Sequence, residues 1–200
     1  MSGTFPFNTR IRASKLKSIW PTIRDQTDNG RHWVREIGFH QWAFSLDLSR
    51  MVADDWRVLL AFVHAQRGMT GSFQIVHPAL ATPRGVLGGT PVVNGAGQSG
   101  SSLAISGCAA STVGWMKAGD VFTLAGNDKV YMLTADANTN ASGQVTLNFE
   151  PQLIVSPAGG EALTVSNVPF TMFITNSAEL AFSPPLRGVM SLSLAETISG

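Results

Sequence analysis

Four histidines, one cysteine and a spaced trio of aspartates are the side chains of this sequence whose types could carry chemistry. His32, His40, His64 and His77 fall at no metal-ligand spacing, and H-E-x-x-H is absent, so no metal site is expected. His64 on a helix and His40 beside a strand read as packing or surface residues. Cys108 sits in a Gly/Ala/Ser-rich turn with no histidine nearby, so nothing in the sequence would draw off its proton and make it a nucleophile. No G-x-S-x-G is present. Asp120, Asp128 and Asp136 suggest a carboxylate site by type alone, yet Asp120 follows Gly119 and Asp128 closes Gly126-Asn127-Asp128, where aspartate serves as a turn former. Gly95-Ala96-Gly97-Gln98-Ser99-Gly100 matches the dinucleotide fingerprint, which holds pyrophosphate only when its last glycine opens a helix. Here Leu103 and Ile105 continue as a strand, and the motif reads as a flexible turn.

Two further patterns invite a functional reading. Trp115, Phe122, Tyr131 and Phe149 could stack under a nucleic-acid strand or a sugar, but the surrounding segment is acidic, whereas phosphate-binding grooves depend on Lys and Arg. Core aromatics are expected, with carbohydrate binding as the alternative. Asn140-Ala141-Ser142 is a glycosylation sequon, meaningful only in a secreted eukaryotic protein. No catalytic, cofactor-binding or metal-binding residue is therefore expected, and the chain reads as a non-enzyme without cofactors.

Elements that could position a site are easier to find. Trp42, Phe44, Leu46 and Leu48 alternate with Gln41, Ser45, Asp47 and Ser49, the pattern of a half-buried strand. Val52, Trp56, Leu59, Leu60 and Val63 then recur at the helical period. Asp54 and Asp55 stand near the start of that helix, Arg67 near its end and Gly68 just past it. Trp56, Leu59, Leu60 and Val63 are expected in the core. Before this, residues 1–30 carry five basic residues among few apolar anchors and end in the turn Asp28-Asn29-Gly30, which suggests an extended arm. Beyond the helix, strands are expected at Gly71–Val76, Leu103–Ser106, Val121–Ala125, Lys129–Thr134, Val145–Phe149 and Ala162–Val165. After Pro169 come Phe170–Ile174, Leu180–Phe182 and Met190–Leu194. The stretch Ala79–Gly100, rich in Pro, Gly and Thr, marks a crossing between domains, and Ala135–Gly143 reads as an exposed, mobile loop.

Composition sets the frame for these pieces. With 200 residues, 44% hydrophobic and 14% charged, the chain can bury one large or two small cores, and its wealth of turn residues favours short strands. The apolar stretch Val58–Ala65 is far shorter than the roughly 20 residues of a membrane helix, and no secretory pattern opens the sequence, so synthesis in a cytoplasm is expected. A single cysteine excludes an intrachain disulfide. Net charge is +1 but divided. Residues 1–88 hold eleven Lys/Arg against six Asp/Glu, residues 89–200 three against seven, a partition of +5 and −4. Such a partition is open to two readings, a nucleic-acid patch or a subunit whose basic edge meets an acidic edge of its neighbour, and the subunit contact is favoured. The expected fold is mainly β: a β-sandwich-like domain with one packed helix, discontinuous over residues 1–88 and 166–200, and a small barrel inserted at 89–165.

In order, Pro21-Thr22-Ile23-Arg24-Asp25, Asp28-Asn29-Gly30, the strand through Trp42 and Leu48, the helix ending at Arg67-Gly68, and Gly71-Ser72-Phe73-Gln74-Ile75 resemble the opening domain of siphophage distal tail proteins. Val92–Ser101 resembles their crossing segment. Gly119-Asp120-Val121-Phe122 with Lys129–Leu133 is similar to the inserted barrel of the variety that carries an OB-fold, and Met190–Glu196 resembles the closing strand. The resemblance implies a hexameric ring in the virion tail tip, bound to the tail tube protein on one side and the baseplate hub on the other. It also implies that the first domain lines the channel through which DNA passes without specific binding. The inserted barrel would project outward to other tail-tip proteins or to host-surface glycan, and no catalytic residues carry over. Readings outside this family are a carbohydrate-binding module, a hydrolase with an unfamiliar site, and a tube protein.

Overall fold

The computed structural model describes residues 3–6, 11–176, 179–183 and 187–197. Its described elements run β1 (Ile11–Ile19), β2 (Thr22–Gln26), β3 (His32–Glu36), β4 (Gln41–Met51), α1 (Ala53–Ala65), β5 (Ser72–Val76), β6 (Gly89–Val93) and β7 (Ser102–Cys108). They continue with β8 (Val121–Leu124), β9 (Val130–Leu133), β10 (Val145–Glu150), β11 (Leu163–Thr164), β12 (Pro169–Ile174), β13 (Glu179–Ser183) and β14 (Arg187–Glu196). The protein is mainly β with one α-helix among the described residues, as its alternating patterns imply. It divides into two compact units.

One unit comprises Thr9–Ser72 and Met172–Glu196. In its sheet, β4 lies between β1 and β14, and β14 also pairs with β13 and with the end of β12. The alternation in β4 places Trp42, Phe44, Leu46 and Leu48 in the core, where Met172, Ile174, Met190, Leu192 and Leu194 join them. The expected arm is in large part a strand. Ile11–Ile19 pairs along β4 from Ile11↔Leu48 to Ile19↔Gln41, held by backbone hydrogen bonds that no apolar pattern announces. The Asp28-Asn29-Gly30 turn tips a two-stranded hairpin, β2–β3, with Gly30 at a positive φ.

Helix α1 lies against β4 and β14, with Asp54 and Asp55 in its first turn. Its face corrects the expectation. Leu59 is fully buried, but Leu60 is 41% exposed and Trp56 and Val63 are only half-buried. The side turned inward is centred on buried Leu59 and Gln66 and flanked by half-buried Asp55, Trp56, Phe62 and Val63, so only the Leu60 edge of the apolar stripe faces water. Buried Gln66 closes the helix by accepting the Gly71 amide on its carbonyl at 2.8 Å.

The other unit centres on Phe73–Thr171. Its six-stranded sheet runs β11-β8-β9-β10-β7-β6 and nearly closes on itself. A bridge joins Val92 to Ala162, and the Val93 amide donates to Glu161 O at 2.8 Å. Val121–Leu124 pairs with Val130–Leu133 as the expected hairpin, and all four residues of β8 are buried. Leu103, Ile105, Trp115, Phe122, Tyr131, Leu147 and Phe149 fill the interior. Within the 79–100 stretch Gly89 has a local cause: a Cβ there would strike the Gly107 carbonyl, so β6 and β7 approach as only glycine permits. The loop at 135–143 is anchored rather than loose. Ala137, Thr139 and Gly143 are buried, Thr139 Oγ1 accepts the Thr112 amide at 2.8 Å, and Asn140 Oδ1 accepts the amides of Ser142 and Gln144.

Candidate assembly surfaces

The residues that could do chemistry are spent on structure. Asp120 is buried, and its carboxylate accepts backbone amides from Arg84 at 2.7 Å, Gly85 at 3.0 Å and Lys117 at 2.8 Å, tying two loops together. Asp136 accepts the Ala118 amide, and Asp128 accepts the Thr171 hydroxyl. Burial pushes the Cys108 thiol up to about 11, so it stays protonated and unreactive. His40 is wedged between Trp20 and Trp42, with its Nε2 2.8 Å from Ser18 Oγ. His77 caps a 3-10 turn at Pro78–Leu80 by accepting the Ala79 amide, and burial lowers its pKa. His32 contacts Arg24 on the exposed hairpin, while His64 is exposed on α1. No group of three or more potential metal ligands converges among the described residues.

The Gly95–Gly100 motif is a turn, stapled by Gln98, whose Oε1 accepts the Ala104 amide while its Nε2 donates to Asn94 O and Ala104 O. Phe122, Tyr131 and Phe149 pack on one another with centroids 5.2 to 5.5 Å apart inside the barrel-like sheet, so they offer no stacking platform. Trp115 is equally buried and donates its indole N–H to Gly88 O.

Surfaces remain, and three stand out on the first unit. The sheet side opposite α1 carries the cross-strand rows Ala13-Asp47-Ser191, Lys15-Ser45-Ser193 and Lys17-Ala43-Ala195. Small side chains keep this face shallow, and the exposed Lys15 and Lys17 line its β1 edge. A second surface is the β2–β3 hairpin, whose strand residues are all exposed. Cross-strand pairing puts Ile23, Asp25, Trp33 and Arg35 on one side of it, with Trp33 72% exposed and the exposed Ile37 following at the same parity. The third is a groove along α1 between Trp56, Leu60, Val63 and His64, bordered by Arg57, Arg67 and Ile174. Sequence reading missed the last two. The signal for the hairpin was available in the Asn-Gly turn flanked by Ile23 and Trp33, whereas the groove depends on which helix side meets the sheet.

Residues 81–168 match the family described as the B domain of distal tail protein pb9. Over 183 residues the chain is 27% identical to distal tail protein pb9 of Escherichia phage T5, a match covering 89% of this chain and 87% of that protein. No described helix is long and apolar enough to cross a membrane.

Proposed function

We propose that this chain, similar over most of its length to a phage distal tail protein, is a structural component of a virion tail that assembles into a closed, hexameric ring at the tail tip. The ring joins the tail tube protein to the baseplate hub without catalysing a reaction. The observation that carries the proposal is the reach of the similarity, which extends over most of the chain rather than a single module. In this reading residues 1–88 and 166–200 are the ring-forming body, and 89–165 is an inserted OB-like barrel that holds other tail-tip proteins or host-surface glycan. The barrel-like sheet lies within that insert, its strands beginning at Gly89 and ending at Thr164, while the compact unit around it also takes in residues 73–88 and 166–171. A hydrogen bond of 2.8 Å from the Asn167 amide to Ala81 O brings the chain before the sheet beside the chain after it, the closeness an inserted domain requires.

The shallow face of β1, β4 and β14 is the channel wall in this arrangement. Ala and Ser present no obstruction to a moving polyanion, and exposed Lys15 and Lys17, against one carboxylate at Asp47 that accepts the Ser191 hydroxyl, attract phosphate without reading bases. Electron microscopy and native mass measurement of the purified protein test the reading. Closed rings of one size are expected. Stacked tubes would assign the chain to the tube, and a strict monomer at every concentration and salt, with tail-tip partners absent and present, would end the ring assignment.

A further inference from the structure

We propose that Asn94 is a self-modifying site, at which the Gly95 amide nitrogen attacks the Asn94 side chain and ages the protein into aspartate and isoaspartate forms. The inference is independent of the ring reading. Asn-Gly occurs twice in the sequence, at Asn29-Gly30 and Asn94-Gly95, and glycine makes such a pair reactive because no side chain shields the attacking nitrogen. Sequence alone leaves the two pairs equivalent, and the structure separates them. Each lies in an exposed turn with its glycine at positive φ, 79° at Gly30 and 90° at Gly95.

Both reacting groups of the first pair are held. Asn29 Oδ1 accepts the Thr27 hydroxyl at 2.6 Å, and the Gly30 N–H that would have to ionise donates to Thr27 O at 2.9 Å. At the second pair the restraints fall on other atoms. The Asn94 amide donates to Ala104 O, and Gln98 Nε2 donates to the carbonyls of Asn94 and Gly95. Among the described residues neither the Gly95 N–H nor the Asn94 carboxamide makes a hydrogen bond, and a Cβ on Gly95 would meet nothing within 4 Å.

The reaction needs only base and water. Base takes the Gly95 amide proton, the nitrogen bonds to Asn94 Cγ, and the carboxamide nitrogen leaves as ammonia, closing a succinimide ring. Water then opens the ring at Cγ to give aspartate, or at the backbone carbonyl to give isoaspartate, with the chain rerouted through the side chain. A neutral amide becomes a carboxylate, and the isoaspartate form carries an extra methylene in its main chain. That methylene falls beside Val93, whose N–H and carbonyl bond to Glu161 O and the Gly160 amide where the barrel-like sheet nearly closes.

Incubating the full-length folded protein in mildly alkaline buffer, followed by tryptic mapping in a mass spectrometer and labelling with an isoaspartate-specific methyltransferase, tests the proposal. The two pairs fall in different peptides, one between Arg24 and Arg31 and the other between Arg84 and Lys117. Product at Asn94 should form about tenfold or more faster than at Asn29, the factor expected when hydrogen bonds on both reacting groups must be given up. Its rate should rise with pH, and in denaturant the gap between the sites should close. Thr27→Val, which releases the Asn29 carboxamide, should narrow the gap in the folded protein. Equal or faster reaction at Asn29 in the folded wild-type chain overturns the assignment, as does an Asn94 that stays intact or a gap that persists in denaturant. A rate at Asn94 indifferent to pH overturns attack by the amide nitrogen.

Discussion

Asp120 sits where a catalytic carboxylate could be sought, yet its two oxygens accept three amides from two loops. Asp120→Ala should destabilise the protein by about 2 to 4 kcal/mol in urea unfolding, since it orphans donors that are shielded from water. Cys108 gives a chemical readout of the same interior. With its thiol raised to about 11, it should resist a disulfide reagent at pH 8 in the folded protein and react once the chain unfolds. His77 adds a pH dependence. Burial lowers its pKa in the folded state, so the unfolded chain takes up a proton near the ordinary value of 6.5 while the folded chain resists it. Stability is full above that value and declines as pH falls below it. Thermal melts of His77→Gln should show a shallower decline over that acid range.

Among the elements, α1 separates what periodicity reveals from what it leaves open. The 3.6-residue repeat and the Arg67-Gly68 stop made the helix legible, but its inward side is fixed by packing on β4 and β14, which local sequence does not encode. Leu59→Ala should therefore cost about 2 to 5 kcal/mol by calorimetry or denaturant, whereas Leu60→Ala should stay within about 0.5 kcal/mol in the isolated chain. Equal losses at both positions would put the apolar stripe back in the core. Strands with one wet face, such as β4, were plain from alternation, as was the β8–β9 hairpin from its Gly126-Asn127-Asp128 turn. Ile11–Ile19 was not, because its strand identity comes from register with Gln41–Leu48, a pairing that crosses the hairpin. The 135–143 loop misled for the converse reason: Thr139 and Asn140 anchor it through backbone hydrogen bonds that hydrophobicity does not register.

At the scale of the whole molecule, resemblance and topology carried more than any motif, since no residue cluster among the described residues advertises a reaction and the assembly surfaces are combinations of distant segments. The proposed organisation is open to excision: replacing residues 89–165 with a short Gly/Ser linker should leave a remainder that unfolds in one cooperative step. Gradual, non-cooperative melting would count against a separable insert. The +5 and −4 partition predicts that any assembly loosens as salt rises, modestly, because exposed pairs are screened within about 8 to 10 Å. The position of β14 also has a consequence for biosynthesis. This last strand bonds to β4, β12 and β13, so the first unit's sheet lacks its centre until Arg187–Glu196 leave the ribosome, whereas every strand of the barrel-like sheet has already emerged. A prematurely terminated chain is thus left with an open β4 edge, and a damaged message yields products that quality control can recognise before they enter a virion.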